Sequence, residues 1–106
     1  MMKNVPIKQI VVGKEYVFGS YSEALGFVPT RCDFSNQHPC RLTVEKVGRK
    51  YVDVRFANGG SDKGYCGDGF FEIDLAKDLY KKSLKARQSK GYPQTDAEID
   101  AFVEAL

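Results

Sequence analysis

Long hydrophobic runs are missing from this chain of 106 residues; Ile10-Val11-Val12 is typical of the longest. A membrane-crossing helix needs roughly 20 apolar residues, so no transmembrane helix is expected. The opening MMKNVPIKQIVVGKEY carries lysines but lacks the apolar core of about 7 to 15 residues and the small-residue cleavage site of a secretory signal. A cytoplasmic location is the resulting expectation. Cysteine is scarce and odd in number: Cys32, Cys40 and Cys66 make a poor disulfide framework and suit a reducing compartment as free thiols. A strong charge of one sign is also absent. The net charge of +2 does not by itself argue nucleic-acid binding, which takes several cations on one face.

Catalytic and cofactor signatures are missing as well. Cys32, His38, Cys40 and Cys66 are the one conceivable soft-metal set, and three thiolates with an imidazole would suit tetrahedral zinc. Their spacing is wrong, because seven residues separate Cys32 from Cys40 and Pro39 stiffens the His38 to Cys40 connection. Unligated side chains are expected, with Cys40 and Cys66 as small apolar fillers. A Cys-His nucleophilic pair has no accompanying orienting group or oxyanion-hole signature. The glycine-rich 59-GGSDKGYCGDG-69 lacks both the Gly-Lys-Ser/Thr ending of a P-loop and the glycine spacing of a dinucleotide fold. Asp62, Asp68 and Glu72 lack calcium-loop spacing. The expectation is a protein with no catalytic residues and no cofactor.

What is present is the composition of an ordinary globular domain, 42% hydrophobic and 28% charged, at a length that fits one core. Val5 to Phe18 reads as an entry segment and first strand, bent at Gly13-Lys14. From residue 19 to 39 the periodicity fades, which predicts a long loop with a helical turn at Ser22 to Leu25. The stretch 41-RLTVEKVGRKYVDVRF-56 alternates apolar and polar side chains on both sides of Gly48-Arg49-Lys50, a two-stranded hairpin. Val52, Val54 and Phe56 share its core face, and Tyr51, Asp53 and Arg55 the other. Residues 57 to 69 read as a second loop, followed by a short strand at 70 to 73. From Asp74, a candidate N-cap, the positions Ala76, Leu79, Tyr80, Ser83 and Leu84 form one helical face reaching about Lys90. Gly91-Tyr92-Pro93 ends that helix. A capping box at Thr95-Asp96-Ala97-Glu98 then opens a second, presenting Ile99, Phe102, Val103 and Leu106. Strands followed by helices argue an α+β domain.

Residues 77 to 90 hold Lys77, Lys81, Lys82, Lys85, Arg87 and Lys90 against Asp78 alone. This is either a solvated face or a surface that tracks phosphates. Asp96, Glu98, Asp100 and Glu104 on the following helix, which has no Lys or Arg, would neutralise part of it. A second cationic group, Lys46, Arg49 and Lys50, surrounds the hairpin tip, with Arg41 and Arg55 farther along the strands; lysines at such a tip also protect a sheet edge.

The stretch 42-LTVEKVGRKYVDVRF-56 resembles the central strands of SH3-like barrel modules of the KOW and Tudor type, and 10-IVVGKEYVF-18 fits their first strand. It also resembles small bacteriophage proteins in which a strand ending in Lys-Val-Gly-Arg-Lys-Tyr enters the next. The resemblance covers about residues 8 to 74. It implies a small SH3-like antiparallel β-barrel or curled sheet at 8–74; the insertion at 19–39 and the C-terminal helical hairpin at 74–106, which the helical periodicity predicts, depart from that pattern, and the length fits a single domain over 1–106. The resemblance further implies a binding module: a phage-type accessory protein that engages a host protein in the host cytoplasm. The loops at 19–39 and 57–69 would make contact, with Tyr21, Phe27, Phe34 and Tyr65 as exposed aromatic anchors. The alternative is nucleic-acid binding through Lys46, Arg49, Lys50, Arg55, Lys77, Lys81, Lys82 and Lys85.

Overall fold

A computed structural model describes residues 3–29, 41–56, 59–91 and 93–106. Its strands are β1 (Glu15–Ser22), β2 (Gly26–Pro29), β3 (Arg41–Val47), β4 (Tyr51–Phe56), β5 (Ser61–Cys66) and β6 (Phe70–Phe71), followed by helices α1 (Ile73–Ser89) and α2 (Asp96–Glu104). All strand pairs are antiparallel, in the order β2-β1-β3-β4-β5, and β6 pairs with β1. Val17 pairs with Arg41 of β3 and with Phe71 of β6, so β1 is flanked on both edges there. The result is an α+β fold with an open six-stranded sheet rather than a closed barrel.

The bend before β1 is made by Gly13, whose φ of +87° lies in the left-handed region that favours glycine. It lets the Gly13 N–H donate to Val44 O at 2.8 Å while the Val44 N–H donates to Lys14 O at 3.1 Å, which extends the β1–β3 register. The expected hairpin is β3–β4, with Val52 and Val54 fully buried and Tyr51 and Arg55 exposed. One irregularity was not expected: the register shifts between Val44 and Lys46, so Val47 rather than Lys46 comes opposite Val52. A bulge of this kind keeps the lysine out of the core at the expense of strict alternation.

Adjacent residues of β1 serve two cores, because successive side chains point to opposite faces of a sheet. Tyr16 joins Leu42, Val44, Val52, Val54 and Phe70 on one face. Val17 joins Phe27, Phe71, Ala76, Leu79 and Leu106 on the other, beneath α1. The sheet is strongly curled. Phe18 of β1 meets Tyr65 of β5 edge to face at 5.0 Å between ring centroids, although two strands lie between them in the pairing order. In a flat sheet those strands would stand about 14 Å apart.

Three expectations are corrected. Residues 19 to 29 are not loop: β1 continues to Ser22 and turns through residues 23–25 into β2. Much of the 57–69 segment is likewise strand, β5. Its side chains are almost all exposed, so backbone pairing leaves no apolar alternation to read. Helix α1 starts two residues earlier than expected, with Glu72 rather than Asp74 in the cap position and no side-chain cap, while Asp74 sits in the first turn where an anion complements the helix dipole. The capping box of α2 is formed as expected, Thr95 Oγ1 accepting from the Glu98 N–H at 3.1 Å. Among the described residues no helix is long and apolar enough to cross a membrane.

Candidate binding groove

Helix α1 packs mainly on β2, β1 and α2, and one serine sets its distance from the β1–β2 turn. Ser83 Oγ accepts from the buried Phe27 N–H at 2.8 Å and donates to Leu79 O at 2.8 Å. Gly26, at φ +70°, lies directly against this hydroxyl, and a Cβ there would collide with it. The turn itself is closed by Ser22, whose Oγ accepts from the Leu25 N–H at 3.1 Å. Its tip therefore stands beside α1 without covering it.

The space left is an open groove of about 830 Å³, lined among others by Tyr21, Leu25, Lys82, Ala86, Arg87 and Lys90. Leu25 is 64% exposed and Tyr21 38%, the latter beneath the Lys3 ammonium at 5.8 Å from its ring centroid. Gln94 lines the groove from the segment before α2 and is held by Gln88, whose Nε2 donates to Gln94 O at 2.6 Å and to Asp96 Oδ1 at 3.2 Å. Among the described lining residues Glu23 is the one carboxylate, against Lys82, Arg87 and Lys90.

The expected aromatic anchors separate in the structure. Tyr21 reaches the groove. Phe27 is fully buried, edge to face with Phe71 at 4.9 Å, and cannot be a surface anchor. Its strand carries it under α1, where an apolar ring gains more from burial than from solvent. Tyr65 is half-buried, and its ring packs against Phe18 and Phe56 in the sheet core rather than standing in a loop. Phe34 lies outside the described residues.

The cations fall into two separate groups. At the hairpin, Lys46, Arg49 and Lys50 are exposed, whereas Arg55 pairs with Glu45 at 3.4 Å. On α1, Lys81 pairs with Asp100 of α2 at 3.6 Å and Lys82 with Asp78 at 3.2 Å, so the second helix does neutralise part of the basic face. Lys77 is half-buried. Among the described residues, Lys85, Arg87 and Lys90 enter no ion pair. Of the metal set, Cys32, His38 and Cys40 lie outside the described residues; Cys66 is exposed, its Sγ 3.8 Å from Asp68 Oδ2, and is no core filler.

Leu25, Ala86 and Gln94 were not singled out from the sequence. Their only trace there is indirect, a serine set among Leu79 and Leu84 on a helical face that otherwise reads as apolar. Comparison with known proteins finds no matching family model, no matching curated protein and no matching solved structure.

Proposed function

We propose that this chain is a small non-catalytic binding module that modulates a host protein by occupying one of its surfaces, as a phage-type accessory protein in the host cytoplasm would. The groove carries this reading: a preformed concavity beside α1 with Leu25 and Tyr21 in solvent at its rim. Binding energy concentrates where a few large side chains and pockets meet, and a site already formed spares the cost of ordering. The pairing order β6-β1-β3-β4-β5, with a 3-10 turn at Gly67–Gly69 before β6, also supports the SH3-like relationship, with the β1–β2 hairpin replacing the first long loop. Fold alone does not select the ligand.

Affinity capture from bacterial lysate with the tagged chain, with and without nuclease and at two salt concentrations, tests the reading. The expected result is a stoichiometric protein that survives nuclease and higher salt and is lost with Leu25→Asp. That substitution is on the surface and leaves unfolding stability within about 0.5 kcal/mol. Capture that does not depend on Leu25 would refute the groove as the site.

One observation favours a second reading, direct nucleic-acid binding. Tyr51, 57% exposed, stands beside Lys50 and Arg49 at the hairpin tip. Affinity would then fall by roughly one log unit per phosphate contact for each tenfold rise in salt.

A further inference from the structure

We infer that the groove takes a short acidic segment of a partner protein, in which carboxylates flank one aliphatic side chain; this rests on the protein-binding reading above. Lys82 and Ala86 lie four residues apart on one stripe of α1, and Lys90, the residue that caps its C-terminus, follows four residues later. That stripe spans about 12 Å of helix, a length covered by roughly four residues of extended chain. Charge is available beside it, because Arg87 and Lys90 enter no ion pair among the described residues, while Lys82 already pairs with Asp78 on its own helix, and Glu23 is the one opposing carboxylate among the described lining residues.

Between the cations the wall is apolar and small. Ala86 separates Lys82 from Lys90, and Leu79 and Leu25 also line the groove. An aliphatic side chain there is buried against Leu25 and Ala86, while neighbouring carboxylates meet the cations, which is the usual division between an apolar interface centre and a charged rim. A nucleic-acid strand fits this lining less well. Strands of that kind use aromatic platforms beside the cations, and among the described residues Tyr21 is the one aromatic side chain in the lining. Both ends of the groove are already set, by Ser83 holding Phe27 and by Gln88 holding Gln94.

The test is selection of a displayed random peptide library against the intact chain, followed by NMR titration of the enriched peptides. Enrichment of Asp and Glu around Leu, Ile or Val is expected, with amide shifts confined to residues 21–26 and 82–94. The double reversal Arg87→Glu with Lys90→Glu should weaken those peptides roughly tenfold or more, and selection against that variant should return Lys- and Arg-rich peptides instead. Ala86→Phe, which fills the groove without changing charge, should abolish binding while the far-UV spectrum stays unchanged. Enriched peptides without an acidic bias, or ones indifferent to the double reversal, overturn the inference. So does oligothymidylate that shifts the same amides and is unaffected by Ala86→Phe. A lysate protein whose capture needs Leu25 but which no acidic peptide displaces removes this inference alone and leaves the protein-binding reading standing.

Discussion

Ser83 is buried in the face of α1 that packs on the sheet, and both of its hydrogen bonds go to backbone. A serine in mid-helix ordinarily returns its hydroxyl to the preceding turn; here the same oxygen also satisfies a strand N–H that would otherwise be buried without a partner. Ser83→Ala should therefore cost about 1 to 3 kcal/mol in urea unfolding. A cost within error would mean that the Phe27 N–H finds water or another acceptor. Lys14 makes a different kind of link, its ammonium 2.9 Å from a Glu72 carboxylate oxygen in front of α1. The hydrogen bond to Glu72 raises the Lys14 pKa above its ordinary 10.5, assisted by the Glu72 charge and by Tyr16, with desolvation opposing. Because the folded value is the higher one, the contribution is fully present below the ordinary lysine range and is lost as pH rises through the raised value. The stability difference between the wild type and Lys14→Met should thus persist at neutral pH and vanish in strong alkali. A gap unchanged there would show that the link is one of packing alone.

At the scale of elements, α2 is short, nine residues from Asp96 to Glu104, and helices of that length are marginal by themselves. Its start depends on reciprocal bonds between Thr95 and Glu98, and its face on Ile99, which is fully buried. Phe102, expected on that packing face, is 46% exposed instead. Thr95→Ala should cost about 1 kcal/mol in thermal or urea unfolding. Because Gln94 immediately precedes the cap, amide shifts from this substitution should reach the groove wall; shifts confined to α2 would separate the cap from the groove. The strands differ in how openly their sequences declare them. The β3–β4 pair buries one face, and its alternation is visible in the residue types. The β5 strand has one half-buried side chain, Tyr65, and the outer half of β1 reads Gly-Ser-Tyr-Ser, so their pairing partners rather than their own pattern make them strands.

For the whole molecule, the decisive arrangement is that β1 and β6 bury both faces. Phe70 belongs to the core inside the curled sheet and Phe71 to the core under α1. Helix α1 thereby sits outside the sheet's curl, against β1 and β2, with α2 packed on it, and its basic face becomes one wall of a groove. The hairpin-tip cations belong to a different part of the sheet, since α1 packs mainly on β1, β2 and α2. Reversing Lys46, Arg49 and Lys50 together to Glu should leave capture of a protein partner unchanged while abolishing any salt-sensitive retention of nucleic acid. Loss of the protein partner in that triple variant would move the binding surface from the groove to the hairpin tip.

The sequence by itself determined the elements whose signals are local. These are the bend at Gly13, the alternating hairpin, the amphipathic face of α1 and the Thr95 capping box, each written in residues within a few positions of one another. The class, strands followed by helices, follows from their order. Only the tertiary structure decided which aromatics are buried. Phe27 and Tyr21 sit six residues apart in one polar-looking stretch, and nothing local separates the ring covered by α1 from the ring left at the groove. The groove is equally nonlocal, because its walls come from residues 21–26 and from α1 and the segment after it, joined by packing and by the hydrogen bond from Phe27 N–H to Ser83 Oγ. Its shape depends on how closely a helix approaches a turn, a distance set by packing between segments far apart in the chain.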